Sequence, residues 1–290
     1  MSTASRLAQW MEGSEWLGQV AEPVNRQVKR LFEPGRFTDL TAGRWLGHPV
    51  HPMLVDLPIG CWTSAMALDV LGWPAAAQSL IGMGTIAVLP TAVTGLADWS
   101  DTSGAEQRVG FVHLTLNLGA AGLYALSWWA RRSGRRATGV KAAFAGAALA
   151  TTAGWLGGHL AFGLGVGVDT NAFEGSELEW TAIEDGSKGA ALSQSEADGI
   201  AVAVARDQGR TYVLADRCSH RGGPLSQGAI GDDCVTCPWH GSQFELVTGG
   251  VRRGPAVVPQ PVYEVRDGSH GTEVRRQEPR ALRTNSVRIH

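Results

Sequence analysis

Neither acid nor base dominates this sequence: 25 Lys and Arg stand against 27 Asp and Glu, a formal net charge of -2 over 290 residues. Such balance supplies no global basic field of the kind that draws nucleic acid. Cysteine is scarce, and four in the chain are too few for a disulfide scaffold. A secretory signal is missing too, because Met1 to Pro34 holds no continuous apolar core. Instead Trp10, Leu17, Val20, Val24, Val28 and Leu31 recur at roughly helical spacing among charges. That is the pattern of an amphipathic helix lying on a membrane surface, or of one packed on the protein's own surface.

Charge is also missing locally. Residues 53–167 are almost free of it, while residues 174–290 read as an ordinary soluble domain, a split hidden by the mean hydropathy of -0.05. Four stretches are long and apolar enough to cross a bilayer, which takes about 20 residues: Met53–Trp73, Ala77–Ala97, Phe111–Ala130 and Ala142–Val166. Short connections such as Pro74–Ala76 make successive helices antiparallel neighbours, and Trp99, Trp128 and Trp129 fall near span ends, where aromatic belts sit. In the fourth stretch Ala142, Gly146, Ala150, Gly154 and Gly158 recur at every fourth position, predicting a ridge of small side chains for close helix packing. Arg131, Arg132, Arg135, Arg136 and Lys141 lie between the third and fourth stretches. The positive-inside rule makes that loop cytoplasmic and sends the C-terminal half outside. Arg26, Lys29, Arg30, Arg36 and Arg44 in the N-terminal tail pull the other way.

The expected organisation is an amphipathic segment over 1–45, a four-helix transmembrane domain over 46–170, an all-β domain over 176–277 and a flexible basic tail over 278–290. His48, His51, His113 and His159 all fall towards one end of the expected bundle. Intramembrane ionisable groups are costly and usually functional, and facing histidines are how bundles hold haem. One reading is haem b with His113 and His159 as axial ligands. Others are a quinone pocket using Asp56 and a histidine, or interhelical hydrogen bonds with no cofactor. The segment His48-Pro-Val-His-Pro-Met-Leu-Val-Asp-Leu-Pro resembles the opening of an uncharacterised family of four-helix bacterial membrane proteins, over about residues 45–167. That family implies a histidine where this chain has Asp56.

The second half breaks into short β-prone runs. Ile200–Ala205 and Thr211–Leu214 flank Asp207-Gln-Gly-Arg210, a hairpin signal. Then come Cys218-Ser-His220 and Cys237-Pro-Trp-His240-Gly, with turn residues Gly222, Gly223, Pro224, Pro238 and Gly241 around them. Two loops that each supply one Cys and one His suit a binuclear iron–sulfur cluster, with thiolates on one iron and imidazoles on the other. A tetrahedral zinc site is the competing use, although zinc fingers usually group like ligands together. Cys61 lies in an apolar run, and Cys234 reads as a small strand residue.

Together with Gly249-Gly-Val-Arg-Arg-Gly-Pro-Ala-Val, these loops resemble a Rieske [2Fe–2S] domain over roughly residues 178–276. The resemblance implies an antiparallel β fold with the cluster at one tip, shielded by a proline loop near Gly254-Pro-Ala. It also implies Cys218 and Cys237 on the inner iron and His220 and His240 on the outer one. Rieske proteins of quinol-oxidising complexes add a cysteine to each loop, at positions held here by Gly223 and Trp239, and a tyrosine where this chain has Phe244. Ser242 is kept as a second-sphere residue. Fewer donors to the cluster predict a potential in the lower part of the range of about -150 to +300 mV, as in the ferredoxin-like subtype. An oxygenase catalytic subunit would add a mononuclear iron on two His and a carboxylate. Only His270 and His290 follow the cluster loops, which argues against it.

The expected whole is a multi-pass bacterial membrane protein moving single electrons between redox partners, a reductase and an oxygenase or oxidase, without bond-making chemistry of its own. A relay from the cluster to haem b or quinone in the bilayer, and a membrane-tethered redox sensor, are the alternatives.

Overall fold

Seven helices precede the first strand in the computed structural model, which describes residues 3–33, 35–174, 179–184, 190–268 and 271–277. The chain divides into two units, Met1–Gly167 and Val168–His290. The expected tail over 278–290, with His290, and also His270, lie outside the described residues.

The first unit opens with three helices, α1 (Thr3–Gly13), α2 (Glu15–Leu31) and α3 (Arg36–Ala42). Ser14 caps α2, its hydroxyl accepting from Leu17 N at 3.4 Å. Of the two uses foreseen for this segment, packing on the protein itself is what the structure contains. Met11 and Leu17 are buried with Val109 and Leu156, and Asn25 Nδ2 donates to Trp99 O at 2.8 Å. The face carrying Trp10, Trp16, Val20, Val24 and Leu31 stays exposed.

Four long helices follow: α4 (His51–Val70), α5 (Pro74–Ser100), α6 (Gly104–Arg132) and α7 (Arg136–Gly158). Tight turns join α4 to α5 and α6 to α7 through Gly72 (φ 81) and Gly134 (φ 74), conformations that glycine adopts without a Cβ penalty. Pro74 starts α5, where its missing N–H is no loss. Met83, Ile86, Leu89, Leu118 and Leu126 point outward, as they do on a surface bathed in lipid.

Among the described residues three helices, α4, α5 and α6, are long and apolar enough to cross a membrane. The fourth expected stretch is long enough, α7 having 23 residues, but is not among the three by apolarity. Its regular helix ends at Gly158, one π-helical turn covers His159–Gly163, and alanine and glycine dominate its composition. Its small-residue ridge also fails. Ala142 and Gly146 are buried, whereas Gly154 has nothing within 4 Å of where a Cβ would be. At 3.6 residues per turn, a four-residue step drifts about 40° around the helix each time. The row therefore leaves the interface, and Ala153 and Leu156 replace it there.

The expected cationic loop also changes character. Arg131 belongs to α6 and is buried, its guanidinium donating to both Asp69 oxygens at 2.8 and 2.5 Å and to Ser127 Oγ at 3.1 Å. It is half of an internal ion pair and drops out of the positive-inside count.

The second unit is antiparallel throughout. Its six-stranded sheet runs in the order β1 (Thr181–Ala182), β10 (Gly271–Arg276), β9 (Val262–Gly268), β4 (Arg210–Ala215), β3 (Ile200–Asp207) and β2 (Leu192–Ala197). A four-stranded sheet takes β5 (Ala229–Gly231), β6 (Cys234–Thr236), β7 (Gln243–Glu245) and β8 (Val251–Arg253) in sequence order. The foreseen hairpin is β3–β4. Asp207 pairs with Arg210 across Gln208 (φ 49) and Gly209 (φ 75), the doubly left-handed turn that matches strand twist. Side-chain alternation then sorts the core. Ala203, Ala205 and Leu214 pack with Leu225, Val235 and Phe244, while Val202, Val204 and Val213 pack with Tyr263 and Val274 on the other face. Cys234 is a buried strand residue of β6.

Candidate iron–sulfur site

Two loops with the same backbone recipe leave this framework. After β4, Cys218 N donates to Gly223 O at 2.9 Å and Gly222 N donates to Cys218 O at 2.8 Å. After β6, Cys237 N donates to Ser242 O at 2.8 Å and Gly241 N donates to Cys237 O at 3.0 Å. Each reversal needs a left-handed residue four places after the cysteine, and Gly222 (φ 75) and Gly241 (φ 74) supply it. The sequence repeats this pattern because both loops must fold back over their own cysteine.

The loops bring the expected ligands together as two pairs, Cys218 with Cys237 and His220 with His240. The Cys218 and Cys237 thiols share a hydrogen bond. That bond, then burial, pushes Cys218 up, while the same bond pulls Cys237 down. The backbone N–H groups of His220 and Arg221 point at the Cys218 sulfur, and those of Trp239 and His240 at the Cys237 sulfur. Such donors stabilise thiolate, the form that binds metal. The imidazoles of His220 and His240 lie edge to face with centroids 5.1 Å apart. Both cysteines are buried, at 1% and 2% exposure, and both histidines are half-buried. A thiol pair therefore lies inward and an imidazole pair outward.

That division fits two irons better than one. A [2Fe–2S] cluster asks for two sulfurs at one end and two nitrogens at the other.

Residues 180–264 match the family model of the Rieske [2Fe–2S] domain, and residues 47–170 match that of DUF2231, a predicted membrane protein family. The chain is a DUF2231 domain followed by a Rieske domain. Ferredoxin CarAc of Metapseudomonas resinovorans is 38% identical over 64 residues, 22% of this chain and 60% of the relative. The 3-phenylpropionate/cinnamic acid dioxygenase ferredoxin subunit of Escherichia coli is 41% identical over 58 residues, 20% of this chain and 55% of the relative. The chain thus spans about 60% or less of each relative's length. The solved ferredoxin of carbazole 1,9a-dioxygenase from Nocardioides aromaticivorans IC177 is 27% identical, with 34% of this chain and 97% of that chain covered and a TM-score of 0.30.

Within the Rieske domain, Gly223 and Trp239 touch. A Cβ on Gly223 would lie 2.9 Å from the indole and 3.0 Å from Cys237 Sγ. Indole packing on bare backbone joins the two loops where the quinol-oxidising subtype is expected to place a second cysteine pair. Ser242 is fully buried, and its hydroxyl accepts from Ala256 N at 3.0 Å, tying the second loop to the proline loop.

Sequence reading missed three supporting residues. Gln260 is buried, its Oε1 accepting from Ser219 N at 2.9 Å and its Nε2 donating to Ala215 O and Arg217 O at 2.7 and 2.8 Å. Asn171 Nδ2 donates to Arg217 O and Thr170 Oγ1 to Cys218 O, each at 2.8 Å. All three fix the backbone of the first loop from outside it, through contacts that no spacing rule encodes.

His113 and His159, the expected haem pair, each have a protein partner. His113 Nδ1 is 2.8 Å from Ala153 O and its Nε2 is 3.1 Å from Asn117 Nδ2. His159 follows α7 and puts its Nε2 2.7 Å from Glu12 Oε1 of α1. Pairing with Glu12 occupies the nitrogen that an axial ligand needs, because the N-terminal helices cover that end of the bundle.

Proposed function

We propose that this chain is a membrane-anchored electron carrier, taking one electron from a donor and passing it to an acceptor through a Rieske cluster. Cys218 and Cys237 hold one iron and His220 and His240 the other, with Ser242 as a second-sphere hydrogen-bonding residue. The single observation carrying this reading is the segregation of a buried thiol pair from a half-buried imidazole pair 5.1 Å apart. The cluster supplies a reversible one-electron couple when bound. The protein's own residues fix its orientation, donate backbone N–H groups to the thiolate sulfurs and leave the imidazole edge as the exit for the electron.

The partners follow from the same likeness. Ferredoxins named for dioxygenase systems are among its relatives, so the proposed donor is a reductase and the proposed acceptor an oxygenase or oxidase. The first unit confines this exchange to a bacterial membrane. Its long helices cross the bilayer, and the exposed Trp10 and Trp16 of the N-terminal helices meet the lipid interface.

The test is EPR and visible spectroscopy of the detergent-purified full-length protein, oxidised and then reduced by dithionite. One Rieske-type signal per chain, absent from Cys218→Ser and His240→Ala variants, is the expected result. Zinc in place of iron, or a cluster retained without His240, would sink the reading.

A further inference from the structure

The membrane unit repeats itself. Asp69 and Arg131, which pair in its interior, are 62 residues apart. The same shift carries α4–α5 onto α6–α7 and superposes His51 on His113, Gly60 on Gly122, Gly84 on Gly146 and Gly95 on Gly157. The structure treats these as equivalents. His51 Nδ1 meets Thr91 O at 2.9 Å and His113 Nδ1 meets Ala153 O at 2.8 Å, each 40 residues on. A Cβ on Gly95 would strike the His51 ring at 2.7 Å, and one on Gly157 would reach the His113 ring at 3.2 Å. Likewise Gly84 lies under Trp62 and Gly146 under Tyr124, and Trp62 and Tyr124 are themselves related by the shift.

Equivalent residues also touch one another, as they must where a two-fold axis passes. Trp62 and Tyr124 stack with centroids 3.9 Å apart, and Asp69 and Arg131 form a buried ion pair. Both contacts join α4 to α6, so the pseudo-axis runs between those helices. His51 lies about three turns before Trp62, and Asp69 about two turns after it, so all three fall on one stripe of α4. His113, Tyr124 and Arg131 form the matching stripe of α6. The axis thus has three layers: the ion pair, the ring stack and, about three turns further on, the equivalent residues His51 and His113.

In that layer the two side chains are anchored outward. A carbonyl only accepts, so each Nδ1 carries the proton and each Nε2 the lone pair. A backbone carbonyl on the far nitrogen is the usual brace of a metal-binding histidine, fixing its tautomer and raising its basicity. Asn117 holds the His113 Nε2 at 3.1 Å and keeps a second bond to His113 O at 2.9 Å, so it can release the nitrogen without being orphaned.

From this we infer that the first unit is a duplicated helical hairpin whose equivalent residues His51 and His113 are the two halves of one bis-imidazole site. The ligand is a transition-metal centre bound through the two Nε2 atoms. Its source is a bare ion or a metalloporphyrin, and His159, paired with Glu12, takes no part. The site stands whether or not the Rieske cluster reading holds.

The experiment titrates detergent-purified full-length protein with haemin and, separately, with cobalt(II) chloride, following the Soret and cobalt visible bands. The variants are His51→Gln, His113→Gln and His159→Gln. Glutamine keeps a donor for the Thr91 or Ala153 carbonyl, and the elution volume and cluster EPR signal report folding. Saturation at one equivalent by either probe, abolished alike in His51→Gln and His113→Gln and intact in His159→Gln, is the expected result. The probe that binds identifies the source. Binding of neither probe, binding that survives either half-site variant, or unequal loss between the two overturns the inference.

Discussion

Gly223→Ala tests how the two cluster loops are joined. The added Cβ would sit 2.9 Å from the Trp239 ring and 3.0 Å from Cys237 Sγ, where carbon contacts settle at about 3.5–4.0 Å. A shortfall of about half an ångström must therefore be absorbed somewhere. Trp239 is 56% exposed and its ring can swing away. Cys237 cannot follow, being 2% exposed and held on its backbone by Ser242 O and Gly241 N. Overpacking of this kind costs about 1–3 kcal/mol, roughly 5- to 150-fold in an equilibrium, and here it falls on the separation of the loops that grip the cluster. The expected outcome is faster bleaching of the cluster absorbance under chelator and less iron and acid-labile sulfide per chain. Adding Trp239→Ala should restore part of the loss, since the sulfur contact remains. Gly231→Ala, which meets nothing within 4 Å, should behave as the unmodified protein. A Gly223→Ala protein with full iron content and an unchanged bleaching rate would refute the packing argument.

Ser242→Ala should lower the cluster's midpoint potential: one hydrogen bond is worth about 1 kcal/mol, roughly 40 mV for a one-electron couple. An EPR-monitored redox titration checks it, and an unchanged potential would remove Ser242 from the second sphere. Gln260→Leu orphans Ser219 N and Ala215 O at about 1–3 kcal/mol each, while Arg217 O keeps its bond from Asn171 Nδ2. Its thermal transition should fall and its cluster be lost before the sheets unfold, as cluster absorbance and circular dichroism on one sample would reveal. Arg131→Ala leaves Asp69, at 5% side-chain exposure, with the half-exposed Arg136 guanidinium at 3.7 Å in place of its two short bonds, and should destabilise the detergent-solubilised protein by at most about 3–5 kcal/mol. Asp69→Leu combined with Arg131→Met should recover most of that. A double variant as unstable as the single one would refute the argument that the loss comes from a buried charge deprived of its partner.

The β half was legible because its chemistry is local. A left-handed glycine at a fixed distance from each cysteine, a two-residue hairpin turn and alternation along β3 can all be read along the chain, and each appears where spacing put it. Gln260 and Asn171 were not legible. A buried amide that serves another loop's backbone looks, in sequence, like any polar residue near a strand.

In the helical half the rules themselves mislead. Reading each apolar run by itself turns Asp69 and Arg131 into an awkward acid and a loop cation, and assigns His113 and His159 to each other because both are histidines at similar depth. A four-residue ridge looks continuous on paper but rotates out of its interface over three steps, leaving Gly154 exposed. Paired readings do better. Shifted by the 62-residue separation of the ion pair, the acid faces the base, the tryptophan faces the tyrosine, and His51 falls on His113. In lipid, where apolarity does not distinguish one helix face from another, the relation between the two hairpins is more informative than the composition of either.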